Sequence, residues 1–143
     1  MSKENVELVR ALIPPPEVDV ASLFRDDSLF EQARGAFEPF VAPDVEAVAM
    51  WLPAARTYRG IDGFRRMWLD WLEPWAAYHV RVDELIDAGD QVVALIRDSG
   101  RRHDVDAEVE IRAGSLWTVR DRRVVKVEFC SREDAAEAAG VSE

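Results

Sequence analysis

Few side chains in this chain have the type and spacing that catalysis or metal binding requires. His79 and His103 lie far apart, and neither has a second His or Cys at ligand spacing, so we expect no metal site. Cys130 is the single cysteine and has no neighbouring base in the sequence, which predicts a buried or interfacial thiol. No glycine-rich phosphate loop occurs, so most nucleotide chemistry is disfavoured and no cofactor is expected.

The more suggestive features are five tryptophans and an arginine within an apolar strand pattern. Arg97 among aromatic side chains would suit a carboxylate or an enolate, because a guanidinium can hold two oxygens at once. Two plainer interpretations stay open. Aromatic residues at helical spacing commonly form core, and Arg97 could instead make a structural ion pair with Asp44, Glu46 or Glu110.

The element that must position these groups is the stretch Tyr58–Trp75, which carries three of the five tryptophans. Its apolar residues recur at spacings of three and four, as in an amphipathic helix. The stripe consists of Ile61, Phe64, Trp68, Trp71 and Trp75. Pro74 removes a backbone hydrogen bond and clashes one turn back, so we expect the regular helix to end near Glu73.

Helices are predicted before this stretch. A first helix is closed by Pro14–Pro16, and two short helices follow over Val18–Arg25 and Ser28–Phe40. The pattern then predicts a first strand over Val45–Leu52 and a short second strand at Thr57-Tyr58.

From Tyr78 onward the period changes to two, which is typical of strands. The predicted elements are strands over Tyr78–Ile86, Gln91–Ser99, Ala107–Arg120 and Val124–Ser131, a charged loop over Gly100–Asp106, and a terminal helix over Glu133–Ala139. Helices first and an antiparallel meander afterwards indicate an α+β fold. One sheet face mixes Lys126, Glu128 and Cys130 with apolar residues, so we expect a homodimer through it.

Length and charge limit the classes of function. A chain of 143 residues predicts one domain, 1–143. The net charge of −10 argues against nucleic acid and anionic membranes as partners. No apolar run approaches the roughly 20 residues needed to span a bilayer. The N-terminus has no apolar signal core, so we expect a cytoplasmic protein.

Several strings resemble the SnoaL-like branch of the nuclear-transport-factor-2-like superfamily. They are ENVELVR, PDVE, YRGIDGFRRMW, DELIDAGDQVVAL and LWTVRDRRVVKVE, and together they span nearly the whole chain. The resemblance implies a cone-shaped barrel, in which a strongly curved, mainly antiparallel sheet wraps around N-terminal helices, with a short C-terminal helix. It also implies a pocket at the open end and dimerisation through the outer sheet face.

The superfamily includes ketosteroid isomerases, limonene epoxide hydrolases, polyketide cyclases and non-catalytic binders, so the resemblance can be tested residue by residue. The isomerase base and carbonyl donor would fall near Ala49 and Ser115, and alanine cannot accept a proton. The epoxide hydrolase arginine would fall on Arg97. Its two carboxylates would fall on Ser99 and Phe129, where acids are absent, and the cyclase acid would also fall near Phe129.

A shift of one residue would turn each strand over, because neighbouring strand residues face opposite ways. Asp98 and Glu128 would then be the acids that enter the pocket. The candidate catalytic residues are therefore Arg97, Asp98 and Glu128. The candidate ligand-binding residues are Trp51, Tyr58, Trp68, Trp71, Arg97, Ser115, Trp117 and Phe129.

Three functions follow from these assignments. The first is a domain that binds a small hydrophobic molecule, with or without an anionic group. The second is an isomerase, cyclase or hydrolase of a polyketide- or terpenoid-like substrate, using a nonstandard acid such as Asp98, Glu110 or Glu128 with Arg97. The third is a non-catalytic interaction module whose cone is filled by its own side chains.

Overall fold

The architecture is the predicted α+β arrangement of helices followed by strands, seen in a computed structural model that describes residues 2–50 and 55–140. The helices are α1 Ser2–Leu12, α2 Val20–Arg25, α3 Asp27–Phe37, α4 Gly60–Leu72 and α5 Arg132–Ala139. The strands are β1 Val41–Ala49, β2 Arg56–Arg59, β3 Trp75–Ala88, β4 Gln91–Arg102, β5 Glu108–Arg120 and β6 Arg123–Ser131. None of the described helices is long and apolar enough to cross a membrane.

The strands form one six-stranded sheet in the order β2-β1-β6-β5-β4-β3. The four C-terminal strands make the expected antiparallel meander, whereas β1 pairs with β6 in parallel. The sheet is strongly curved but open, because β2 and β3 remain at its two edges. The predicted fold class, a strongly curved and mainly antiparallel sheet around N-terminal helices with a short C-terminal helix, is therefore confirmed.

Helix α4 is close to the prediction from its sequence. It ends at Leu72, two residues before Pro74, as the missing backbone donor requires. Trp75, which the helical stripe had included, instead opens β3 and is only 5% exposed. Its indole reaches the core because Gly100 has no side chain, since a Cβ there would lie 2.5 Å from the indole ring.

The helices α2 and α3 are separated by an aspartate that serves both. Asp26 ends α2, and its side chain accepts a hydrogen bond from the Leu29 backbone at 3.0 Å, which starts α3. The predicted helix to Phe40 is too long, because Pro39 interrupts it and the last three residues form a 3-10 turn. Arg25 holds α2 in place by donating to the Leu72 and Trp75 carbonyls at 2.6 and 2.7 Å.

The β3–β4 hairpin is longer than the sequence pattern predicted. Trp75 pairs with Arg102, so β3 begins before Tyr78 and β4 continues into the expected charged loop. The pairing register shifts between Val82 and Glu84, which leaves Asp83 as an extra residue in a bulge. The bulge changes which residues of β3 face the concave side of the sheet.

The convex, outer face of the sheet is partly covered by α5. Val93, Leu95 and Cys130 form a buried cluster with Ala135 of this helix. Burial raises the pKa of the Cys130 thiol to about 11, so the thiol is neutral and poorly nucleophilic at ordinary pH. The apolar part of this face is therefore already packed within the chain.

The tight contact between α5 and the sheet gives a test of this packing. A Cβ at Gly114 would lie 2.3 Å from the Ala135 Cβ, whereas a Cβ at Gly35 in α3 would meet nothing within 4 Å. We expect Gly114→Ala to lower the free energy of unfolding by about 1–3 kcal/mol, because α5 must move away. Gly35→Ala should raise it by roughly 0.5–1 kcal/mol, because alanine favours helix. Urea denaturation measures both, and equal effects would contradict the packing.

Candidate functional site

A cavity of about 620 Å³ lies between the concave face of the sheet, α4 and the N-terminal helices. The large majority of its lining residues are apolar or aromatic. Residues of β4, β5 and β6 supply its wall, including Ile96, Ile111 and Val127. The opposite wall comes from residues between Ala11 and Phe40, so the N-terminal helices close the side that the open sheet leaves uncovered.

Aromatic rings join these walls. Trp68 of α4 stacks on Phe24 of α2 with ring centroids 5.4 Å apart, and it meets Phe129 of β6 edge-on at 5.6 Å. Phe129 in turn contacts Trp117 of β5 at 6.5 Å. These rings are rigid and do not fill the space between them, so they fix the shape of the cavity.

Among the described residues of the cavity, the deeply buried acid is Asp98 of β4, which is 7% exposed. Tyr78 of β3, fully buried, donates its hydroxyl proton to Asp98 Oδ2 over 2.5 Å. The two residues meet diagonally across the hairpin, since Asp98 pairs with Val80 and Tyr78 pairs with Gly100. The sheet therefore sets the position of both groups.

Burial changes the acidity of this pair. Desolvation raises the pKa of Asp98 from 3.8 to about 7, and the hydrogen bond from Tyr78 lowers it by less. Burial and the nearby carboxylate raise the pKa of Tyr78, so its hydroxyl remains a donor. Trp71 also makes a side-chain hydrogen bond to Tyr78. Asp98 Oδ1 is buried without a hydrogen-bond partner among the described residues.

Ser115 contributes a polar atom to the β5 wall. Its hydroxyl accepts a hydrogen bond from the Trp117 indole at 2.8 Å, and the residue is 2% exposed. The contact fixes the indole and leaves the serine hydroxyl proton free to donate elsewhere.

The structure brings most of the sequence-selected aromatic residues to one place. Five of the eight candidate ligand-binding residues line the cavity, namely Trp68, Trp71, Ser115, Trp117 and Phe129. Trp51 lies outside the described residues. Asp98 is the candidate acid that enters the cavity. It was a candidate only for an alignment shifted by one residue, which exchanges the two faces of the strand.

Arg97 does not enter the cavity, contrary to the expectation. Its side chain lies on the outer face, where Nε is 3.3 Å from Asp83 Oδ2. Arg132 at the start of α5 donates to the same carboxylate oxygen at 2.7 Å, and these arginines hold the pKa of Asp83 below its usual value. An ion pair was one of the alternatives, but its partner is Asp83 rather than Asp44, Glu46 or Glu110.

Three other candidates also lie outside the cavity. The Tyr58 hydroxyl donates to Asp70 Oδ2 at 2.8 Å in an exposed position. Glu128 pairs with Leu116 and Glu110 with Ser99, which puts both on the face opposite to Phe129 and Asp98. None of the three contributes to the cavity wall.

Tyr78 lines the cavity but was not among the candidate site residues, because the sequence pattern indicates only the start of a strand there. The available signal was a tyrosine at the same strand parity as Val80 and Val82, on the strand paired with Asp98. The bulge at Asp83 had to be known before the two side chains could be placed on one face.

A second cleft, of about 510 Å³, lies at the start of α4. Two of its three arginines are already paired, Arg34 with Asp62 at 3.0 Å and Arg59 with Glu46. This cleft is more polar and its charges are largely compensated, so we favour the larger cavity as the site. In the described ranges no three His, Cys, Asp or Glu side chains come together as metal ligands.

The chain belongs to the SnoaL-like family, because the family model for the SnoaL-like domain matches residues 24–127. The match covers well over half of the chain, and it includes β1 to β5 and most of β6. No curated protein sequence matches the chain.

Solved structures show the same fold over nearly the whole chain. A protein provisionally assigned as a SnoaL-like polyketide cyclase, from Jannaschia sp. CCS1, is 18% identical, with 96% of this chain and 91% of that chain covered and a TM-score of 0.67. TerC, co-crystallised with polyporic acid, is 18% identical, with 95% and 97% covered and a TM-score of 0.66. An NTF2-like protein from Burkholderia thailandensis E264 is 25% identical, with 96% and 97% covered and a TM-score of 0.64.

The raised pKa of Asp98 predicts a pH dependence of stability. The folded state holds the proton up to about pH 7, whereas the unfolded chain loses it near pH 3.8. The stabilising effect of the neutral acid is therefore complete below pH 3.8 and is lost as the pH rises to about 7. The loss is at most about 4 kcal/mol, since one pKa unit corresponds to about 1.4 kcal/mol.

Asp98→Asn should remove this dependence and become more stable than the wild type above pH 7. Urea denaturation from pH 4 to pH 8 measures the difference, with the exposed Asp106→Asn as the control. Parallel curves for the wild type and Asp98→Asn would contradict a buried neutral carboxyl.

Proposed function

We propose that the domain binds a small, mostly apolar molecule in the cavity. The observation that carries the proposal is a space of about 620 Å³ whose described lining is apolar and aromatic, with Asp98 as its one deeply buried acid. Pockets of roughly 300–1,000 Å³ with such walls and few polar groups are typical of small-molecule sites. A polar group placed at one point of an apolar wall orients a ligand without binding it strongly.

The structural neighbours are in keeping with this proposal. One is co-crystallised with polyporic acid and another is provisionally assigned as a polyketide cyclase. They support a small-molecule role for the fold. The apolar character of the cavity is observed in the present chain itself. An interaction module with a filled cone is less well supported, because such a module has no need of an open interior.

Filling the cavity should abolish binding of an apolar probe. Ala113 of β5 lines the cavity, so Ala113→Trp puts an indole into the space that the ligand needs. We expect the affinity for N-phenylnaphthylamine, measured by its fluorescence, to fall at least tenfold. Ala107→Trp, at an exposed loop position, is the matched control and should keep wild-type affinity. Equal affinities in the two variants would contradict the cavity as the binding site.

A second candidate function is proton transfer by Asp98. A general base works best when its pKa lies near the working pH, and this carboxyl has a pKa of about 7. Tyr78 holds one oxygen and leaves Oδ1 without a described partner. Oδ1 would take the proton from the carbon beside a ligand carbonyl and return it after the electrons shift, as an isomerase or a cyclase requires.

Proton transfer predicts hydrogen exchange in an enolisable ketone. We expect the wild type to speed exchange of the acidic hydrogens of beta-tetralone in deuterium oxide, with a rate that rises with pH through about 7, because the deprotonated acid is the base. Asp98→Asn should fall to the background rate, and Asp106→Asn should match the wild type. NMR follows the exchange. An active Asp98→Asn variant would exclude Asp98 as the base.

We also propose that two copies associate through the outer sheet face that α5 leaves uncovered. Lys126 and Glu128 are half-buried on this face, and an oppositely charged pair of residues on each copy suits a symmetric contact. Native mass spectrometry of the purified protein reports the subunit count and, in the same spectrum, any ligand that co-purifies.

A further inference from the structure

We propose that Arg112 selects ligands that carry a carboxylate or a similar oxyanion, by pairing with that group at the mouth of the cavity. The inference rests on the proposed ligand-binding function and names the class of ligand. It moves the anion-binding role that the sequence had suggested for Arg97 to a different arginine.

The position of Arg112 follows from where β6 stops. The last pair between the two strands joins Ser131 of β6 to Ala113 of β5. Arg112 precedes Ala113 in β5, so no residue of β6 lies beside it. The residue is exposed and also lines the cavity, so it lies where the cavity meets solvent. Arg112 lies directly opposite Arg97, so its side chain leaves β5 on the outer face. The opening extends round the end of β6 to that face, since Cys130 and Asp134 also border the cavity.

Among the described residues that line the cavity, Arg112 is the single cation. The other charged residues of that described lining are Asp98 and Asp134. Within residues 2–50 and 55–140, no carboxylate lies within 4.0 Å of the Arg112 guanidinium nitrogens. Asp134 borders the same opening without pairing with it. The positive charge is thus available to a ligand.

The neighbouring strands add to this positive charge. Arg97 lies directly opposite Arg112, and Arg81 lies directly opposite Arg97. Like charges at directly paired positions are destabilising. Asp83 compensates Arg97 and Arg132, but no described acid compensates Arg112. An oxyanion on the ligand would both relieve this repulsion and accept two hydrogen bonds from one guanidinium.

The expected ligand is therefore amphipathic. Its apolar body would lie among the rings of Trp68, Trp117 and Phe129, and its anionic end would reach the opening beside Arg112. Asp98 lies opposite Ile111, the neighbour of Arg112, so the acid and the cation border the same end of the cavity. A ligand held at Arg112 would be oriented with respect to Asp98.

Two fluorescent probes with the same rings separate the charge from the apolar contact. Anilinonaphthalene sulfonate carries an anionic group, and N-phenylnaphthylamine lacks it. We expect Arg112→Gln to weaken binding of the sulfonate about tenfold, as for loss of a hydrogen bond between charged groups, and to leave binding of the amine unchanged. Arg81→Gln removes the same charge from the same sheet face away from the cavity, and should leave both affinities unchanged.

The outcomes are distinct. Unchanged sulfonate binding in Arg112→Gln, equal weakening of both probes, or equal weakening by Arg81→Gln would each overturn the role of Arg112. If the wild type binds the amine and Ala113→Trp abolishes it, the cavity proposal stands even when the Arg112 result is negative. If the wild type binds neither probe, the cavity proposal fails and the role of Arg112 fails with it.

Discussion

The indole of Trp68 lies between Phe24 and Phe129, and this contact joins the N-terminal helices to α4 and to the sheet. An open, curved sheet cannot bury its own concave face, so another layer has to cover it. Helix α4 packs mainly against β1 and β2, and α1 and α2 pack against β3 at the other edge of the sheet. The cavity lies between these elements, and their aromatic rings form much of its lining.

The acid in the cavity also lowers the stability of the fold. A carboxyl group buried among rings and aliphatic side chains costs free energy unless it is neutral and hydrogen-bonded. Tyr78 supplies one hydrogen bond to Asp98, and the raised pKa keeps the group neutral over part of the accessible pH range. One oxygen stays without a partner among the described residues.

The strand that carries Asp98 shows why the site was harder to predict than the fold. Its apolar run Val92–Ile96 is buried on both faces, inside by the cavity layer and outside by α5. A run without alternation does not reveal which of the next two residues faces inward, so Arg97 and Asp98 could not be separated. The bulge at Asp83 adds a change of parity on β3, and the carboxylate of the extra residue pairs with Arg97 and Arg132.

The sequence by itself determined the class of fold, the end of α4 before Pro74 and the last four strands, because local periodicity and backbone chemistry report on local structure. The apolar and aromatic character of the cavity also follows from it, since the rings have no other large surface to cover. Only the tertiary structure decided that β1 lies parallel beside β6, that Tyr78 meets Asp98, and that Arg97 lies outside while Arg112 borders the opening. These depend on strand partners, a bulge and the end of β6, which are set by residues distant in the chain.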